Sequence, residues 1–160
     1  RNNVKQAELM QGNGMNRTSI PNMDHYFRFQ YADIGPTKLW GYPQKKTLSK
    51  IPYDYQIAPL VPEGDAFDVY LIDGRYRIAC ACVAFLHALK HVNTHEDRTK
   101  VRVGIHDNGS ILWMTRGYSV MKQLAHVVEK GPRLWVYALK DTTTEEDLYK
   151  MWKAHVHDVR

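Results

Sequence analysis

Three acidic residues stand at the ends of short apolar segments: Asp33, Asp73 and Asp107. Arg75, Arg77 and His106 lie beside them in sequence. If those segments are strands of one open α/β sheet, their carboxyl ends are where ligands bind. Carboxylates there can hold hydroxyls, amines or a metal, and arginines can hold carboxylate or phosphate. The competing reading is structural. Asp73 could cap the helix that follows it, and Arg75 could pair with a neighbour and order the loop.

Other constellations carry less chemistry. His87, His91 and His95 recur every four residues, a spacing that metals accept. They sit where a helix should fray into a polar link, so an exposed, unliganded row is the expectation and no metal is assigned. His155 and His157 read as surface residues. Cys80 and Cys82 are two apart on one expected helix and point away from each other, so they read as buried free thiols. Free thiols suit a reducing compartment, cytoplasm or an organelle interior. No serine or cysteine has a nucleophile-elbow context, and no phosphate-cradling loop occurs. Gly12 and Gly14 flank a turn.

The elements that would position these residues follow from apolar patterning. Phe67 to Ile72 is a short apolar strand, Gly74 allows a sharp turn, and Ile78, Cys82, Phe85, Leu86 and Leu89 recur at helical spacing. Residues 2–10 carry a weak helical pattern within an irregular or helical segment, 1–25. Tyr26 to Ile34 reads as a strand ended by Gly35 and Pro36. Residues 37–62 form a long loop rich in proline and aromatic residues, of the kind that is usually functional or packs on something. His91 to Lys100 is a polar link and Val101 to Ile105 a strand. Residues 115–130 read as a helix with Val120, Met121, Leu124, Val127 and Val128 on one face, stopped by Gly131 and Pro132. Leu134 to Leu139 is a third apolar strand. Thr142 or Thr143, with Glu145 or Glu146 three residues on, signals a capped last helix bearing Leu148, Met151 and Trp152. The order predicts one α/β domain over 1–160 with a mainly parallel sheet and flanking helices.

The totals agree with a globular chain. Its 160 residues are 44% hydrophobic and 24% charged, enough for a real core. The longest apolar run, Ile78 to Leu86, is far short of the ~20 residues of a membrane span. The net charge of +5 permits an acidic partner, nucleic acid included, but the bases are scattered and read first as a solvated surface. The chain opens on Arg1, so the expectation is that a segment was removed or precedes it.

DVYLIDGRYRIACACVAFLHAL, residues 68–89, resembles the strand–helix segment of a group of methyltransferase-like proteins with the class I S-adenosylmethionine-dependent, Rossmann-like fold. Asp33-Ile34-Gly35-Pro36-Thr37 followed by Trp40-Gly41-Tyr42-Pro43 is similar to their DIGPT…WGxP element. Val103 to Asp107 resembles their strand ending in His-Asp. Arg116 and Tyr118 resemble a later Arg/Tyr pair, and Lys140 a lysine closing a later strand. The match runs from about Tyr26 to Lys140 and corresponds to the later part of that fold, without its first strand and glycine-rich loop. The resemblance implies that Asp73, His106 and Asp107 face an acceptor they would hold or deprotonate, with Arg75, Arg77, Asp33, Arg116 and Tyr118 on the substrate side. Cofactor binding carries over to no residue here; S-adenosylmethionine is expected only if an upstream half exists. The implied function is a non-catalytic binding or scaffold subunit, partnered by other chains or by a missing N-terminal segment. The alternative is the C-terminal part of an active methyltransferase.

Overall fold

The computed structural model describes residues 29–44, 52–92, 94–108 and 113–160. Strand β1 is Val69–Ile72, β2 Arg102–His106, β3 Ala125–Lys130 and β4 Leu134–Leu139. Helix α1 is Pro52–Ile57, α2 Arg77–His91, α3 His95–Lys100 and α4 Glu145–His155, with 3-10 segments at Leu39–Gly41 and Trp113–Gln123. The expected helix at 2–10 and the Gly12/Gly14 turn lie outside the described residues.

The strand order is β1-β2-β4-β3. Only β1 and β2 run parallel; β4 is antiparallel to both β2 and β3. The expected mainly parallel sheet is therefore corrected to a mixed, mostly antiparallel one. The cause is the segment read as a helix over 115–130. It splits into the 3-10 segment and β3, whose adjacent β-branched Val127 and Val128 suit a strand better than a helix. Gly131 and Pro132 then turn the chain straight back, with Gly131 N–H donating to Leu134 O at 2.8 Å. A link that short makes a hairpin, whereas a parallel return needs a crossover.

Three smaller expectations are also corrected. Residues 29–34 form no strand; Phe29 and Tyr31 are exposed, so their alternation has no core to face. The polar link holds α3, capped by Thr94, whose hydroxyl accepts from Asp97 N–H at 3.0 Å. The long loop contains α1, whose buried Gln56 donates to Val156 O at 2.9 Å and accepts from Trp152 Nε1 at 2.8 Å. The capping box of α4 is real but uses Thr144 and Asp147, one or two residues beyond the pairs singled out in the sequence.

Helix α2 is buried along most of its length through Ile78, Ala79, Ala81, Cys82, Ala84, Phe85 and Ala88. It packs against α4 and against the sheet face carrying Tyr70, Val103, Ile105 and Tyr137. The other face brings Leu71, Gly104 and Val136 into register. A β-carbon at Gly104 would meet Leu71 and Leu134 at 3.5 and 3.3 Å, so those side chains close over the glycine. Val69 and Leu71 on this face are 65% and 66% exposed. Among the described residues β1 is also an edge strand. Arg102 N–H donates to Asp68 O; by parallel alternation, Val69 and Leu71 turn their backbone groups outward.

The histidine row is broken: α2 ends at His91 and His95 belongs to α3. His87 is half-buried and partnered, which corrects the expected exposed row. Its Nε2 lies 3.4 Å from Glu63 O, a pure acceptor, so the proton sits on Nε2 and Nδ1 accepts from the Tyr70 hydroxyl at 2.8 Å. Burial is the main cause holding the His87 pKa below its ordinary value. The unfolded chain thus takes this proton first. The contribution is present above pH about 6.5 and is lost as pH falls toward the depressed native value. Thermal unfolding should show stability falling with acidification through this range, and His87→Gln should flatten the fall; an unchanged slope in the variant would contradict the assignment.

Candidate functional site

Parallel strands end on the same side, and the register Ile72↔Ile105 puts Asp73 opposite His106. His106 Nδ1 lies 2.8 Å from Asp73 Oδ1 and 3.5 Å from Asp107 Oδ1. Arg77 reaches in from the first turn of α2, with Nη2 3.1 Å from Asp107 Oδ2 and 3.6 Å from Asp73 Oδ1. Its other terminal nitrogen donates to the Tyr118 hydroxyl at 2.9 Å. The Arg77 side chain is 5% exposed while Asp73 is 55% exposed. The cluster thus has a buried cationic floor and an acidic mouth open to solvent.

Two of its backbone positions are strained. Tyr76, just before Arg77, and Asp107 both have φ of 56°, in the left-handed region that non-glycine residues rarely adopt. Tyr76 is fully buried and occupies the N-cap position of α2 without a side-chain cap bond, so Asp73 is not the cap of this helix. Arg77 N–H instead donates to Arg160 O at 3.0 Å. Strain of this kind persists only where surrounding contacts over-determine it, and it concentrates at functional sites.

Arg75 points elsewhere. Its guanidinium stacks over the Tyr42 ring at 4.5 Å, and its backbone N–H donates to the Tyr55 hydroxyl at 3.2 Å. Asp73, Gly74 and Arg75 form the polar end of an open cleft of about 800 Å³ along β1, walled by Tyr55, Leu60 and Phe67 among others. Tyr118 lies within the electrostatic reach of Arg77, Arg75 and Tyr42; burial pushes its hydroxyl pKa up, against the pull of Arg77.

The structure thus brings together Asp73, His106, Asp107, Arg77 and Tyr118, with Arg75 adjoining. Asp33 is exposed and accepts from Gly35 N–H in its own turn at 2.8 Å. Arg116 falls in the 3-10 segment, and its side chain lies outside the described residues. Sequence reasoning missed Arg133, whose Nη2 is 3.5 Å from Asp107 Oδ1. The register His106↔Leu134 places it there, which only an antiparallel β4 makes visible. Both cysteines are free, and burial raises their thiols to about 12, which leaves them inert as nucleophiles.

Chemically, a carboxylate on Nδ1–H fixes the His106 tautomer and leaves Nε2 able to accept a proton. One ligand atom each from Asp73, His106 and Asp107 lies within 4.8 Å of the others. A metal would have to displace Arg77, whose guanidinium already faces both carboxylates. Among the described residues, the glycine turn at the end of a parallel strand is Asp73-Gly74-Arg75. The Tyr55 hydroxyl occupies the space a Gly74 β-carbon would take, so that approach to the backbone is filled by protein.

No family model matches the sequence, and no curated protein does. The fold is similar to that of a methyltransferase-like protein from Silicibacter pomeroyi, with a TM-score of 0.58 at 21% identity. The likeness covers 80% of this chain, which spans 60% of the length of that protein. It shows an α/β fold shared with that protein.

Arg77→Ala should cost about 3 kcal/mol of stability, the low end for breaking a buried ion pair, because it strands two carboxylates of which one is largely solvated. Asp73→Asn should cost under about 1 kcal/mol, since its charge faces water. Urea unfolding of both variants measures the difference; equal losses would contradict the placement of Arg77 as the floor of the cluster.

Proposed function

We propose that this chain is the acceptor-side half of a methyltransferase-like domain, acting by itself as a non-catalytic binding or scaffold unit. Its occupant is an α/β segment that adds a parallel strand to β1 and lays a helix on Val69 and Leu71. The observation that carries this reading is that, among the described residues, the edge of β1 is open beneath an exposed apolar face. An edge of this kind is an aggregation hazard unless covered, and the parallel pairing of β1 with β2 favours a βα unit as the cover. The greater length of the similar Silicibacter protein is in keeping with such a segment.

A second reading rests on the Asp73–His106 pair. Once the segment closes the cleft, His106 Nε2 would take a proton from an acceptor, and Arg75 would hold an anionic group of that acceptor. In that reading the chain is the later part of an active methyltransferase, with the donor site on the added segment.

Titration calorimetry with S-adenosylmethionine tests the first reading, and methyl transfer by the native assembly separates the two. The proposal predicts no saturable heat with this chain alone. Micromolar or tighter binding to this chain would overturn it. In the native assembly, a loss of methyl transfer in His106→Gln with assembly intact would select the second reading.

A further inference from the structure

The opposite edge of the sheet carries a different feature. Lys122 lies at the end of the 3-10 segment, Lys130 ends β3, and Lys140 follows β4. The Lys122 and Lys130 ammonium groups each lie 4.7 Å from the centre of the Trp135 ring. Lys140 Nζ donates to the Lys122 and Gln123 backbone carbonyls at 2.6 and 3.0 Å, which anchors the third ammonium at the end of the 3-10 segment. These three lysines, His126 and Trp135 line a pocket of about 360 Å³, and no acidic residue lines it.

Two features set the pocket apart from a solvated basic surface. Trp135 is 9% exposed and its indole N–H has no acceptor among the described residues. Lys122 and Lys130 have no carboxylate partner among the described residues either; each lies over the indole ring. Converging charges of one sign in a concave site repel one another and concentrate counter-ions. An ammonium is a point-charge binder of phosphate, and a cluster of donors without acceptors suits an acceptor-only ligand.

We propose that the Lys122–Lys130–Lys140 pocket around Trp135 binds a phosphate group. The ligand is an oxyanion held by the ammonium groups, either a free phosphate or phosphomonoester or a phosphodiester. The site lies at the far edge of the sheet from β1 and stands independently of how that edge is filled.

The test is a titration of the full chain with inorganic phosphate at constant ionic strength, following the Trp135 indole N–H by NMR, with a parallel arm using a dinucleotide phosphodiester. A saturable shift is expected in at least one arm, and the tighter arm identifies the source. Lys122→Gln/Lys130→Gln should weaken binding about tenfold or more, while Lys122→Arg/Lys130→Arg should retain it. If the double glutamine variant fails to fold, Lys130→Gln alone, at an exposed strand end, should still weaken binding about threefold. No saturation in either arm, the same shift from chloride, or unaltered binding in the glutamine variants would overturn the proposal.

Discussion

The parallel pairing of β1 with β2 determines where the chemistry falls. Because both strands run the same way, Ile72 and Ile105 end together, and Asp73 meets His106 and Asp107 at one rim. Two carboxylates that close repel each other. The chain answers with Arg77 from the first turn of α2, buried beneath both. Placing that arginine requires the sharp turn at Gly74 and a left-handed Tyr76, and these are anchored in turn by Tyr55 and by the Arg160 carbonyl. Local strain, a buried ion pair and the candidate site are consequences of one strand pairing.

Among the described residues, the same pairing leaves β1 with an unfilled side. The two faces of the sheet are unequal: Tyr70, Val103, Ile105 and Tyr137 are buried under helices, while Val69 and Leu71 face outward. The cleft along β1 ends at Asp73, Gly74 and Arg75, so whatever covers the edge also walls the candidate site. Binding and chemistry are therefore linked through geometry: an added segment would shield the Asp73–His106 pair from water and strengthen its electrostatics.

The strand–turn–helix unit at 67–89 was legible in the sequence because its apolar run is continuous and its helix is apolar on most sides. Asp73, His106 and Asp107 were legible for the same reason, as the residues that close such runs. The strand at 125–130 was not. Val120, Met121, Leu124, Val127 and Val128 satisfy helical spacing, and only the hairpin at Gly131 and Pro132 reveals that the last two belong to a strand. Losing that strand also hid Arg133, whose approach to Asp107 depends on antiparallel register. The Tyr42–Arg75 stack joins residues far apart in sequence, and no local pattern marks it.

The central claim is that β1 is a seam filled by a complementary α/β segment. Amide hydrogen exchange at Val69 and Leu71 tests it most directly, comparing this chain alone with the protein in its native assembly. Their backbone N–H groups point away from β2, so they should exchange rapidly in the isolated chain and become protected in the assembly, while Val103 and Ile105 stay protected in both. Rapid exchange at Val69 and Leu71 in the assembly, or protection already complete in the isolated chain, would contradict the account.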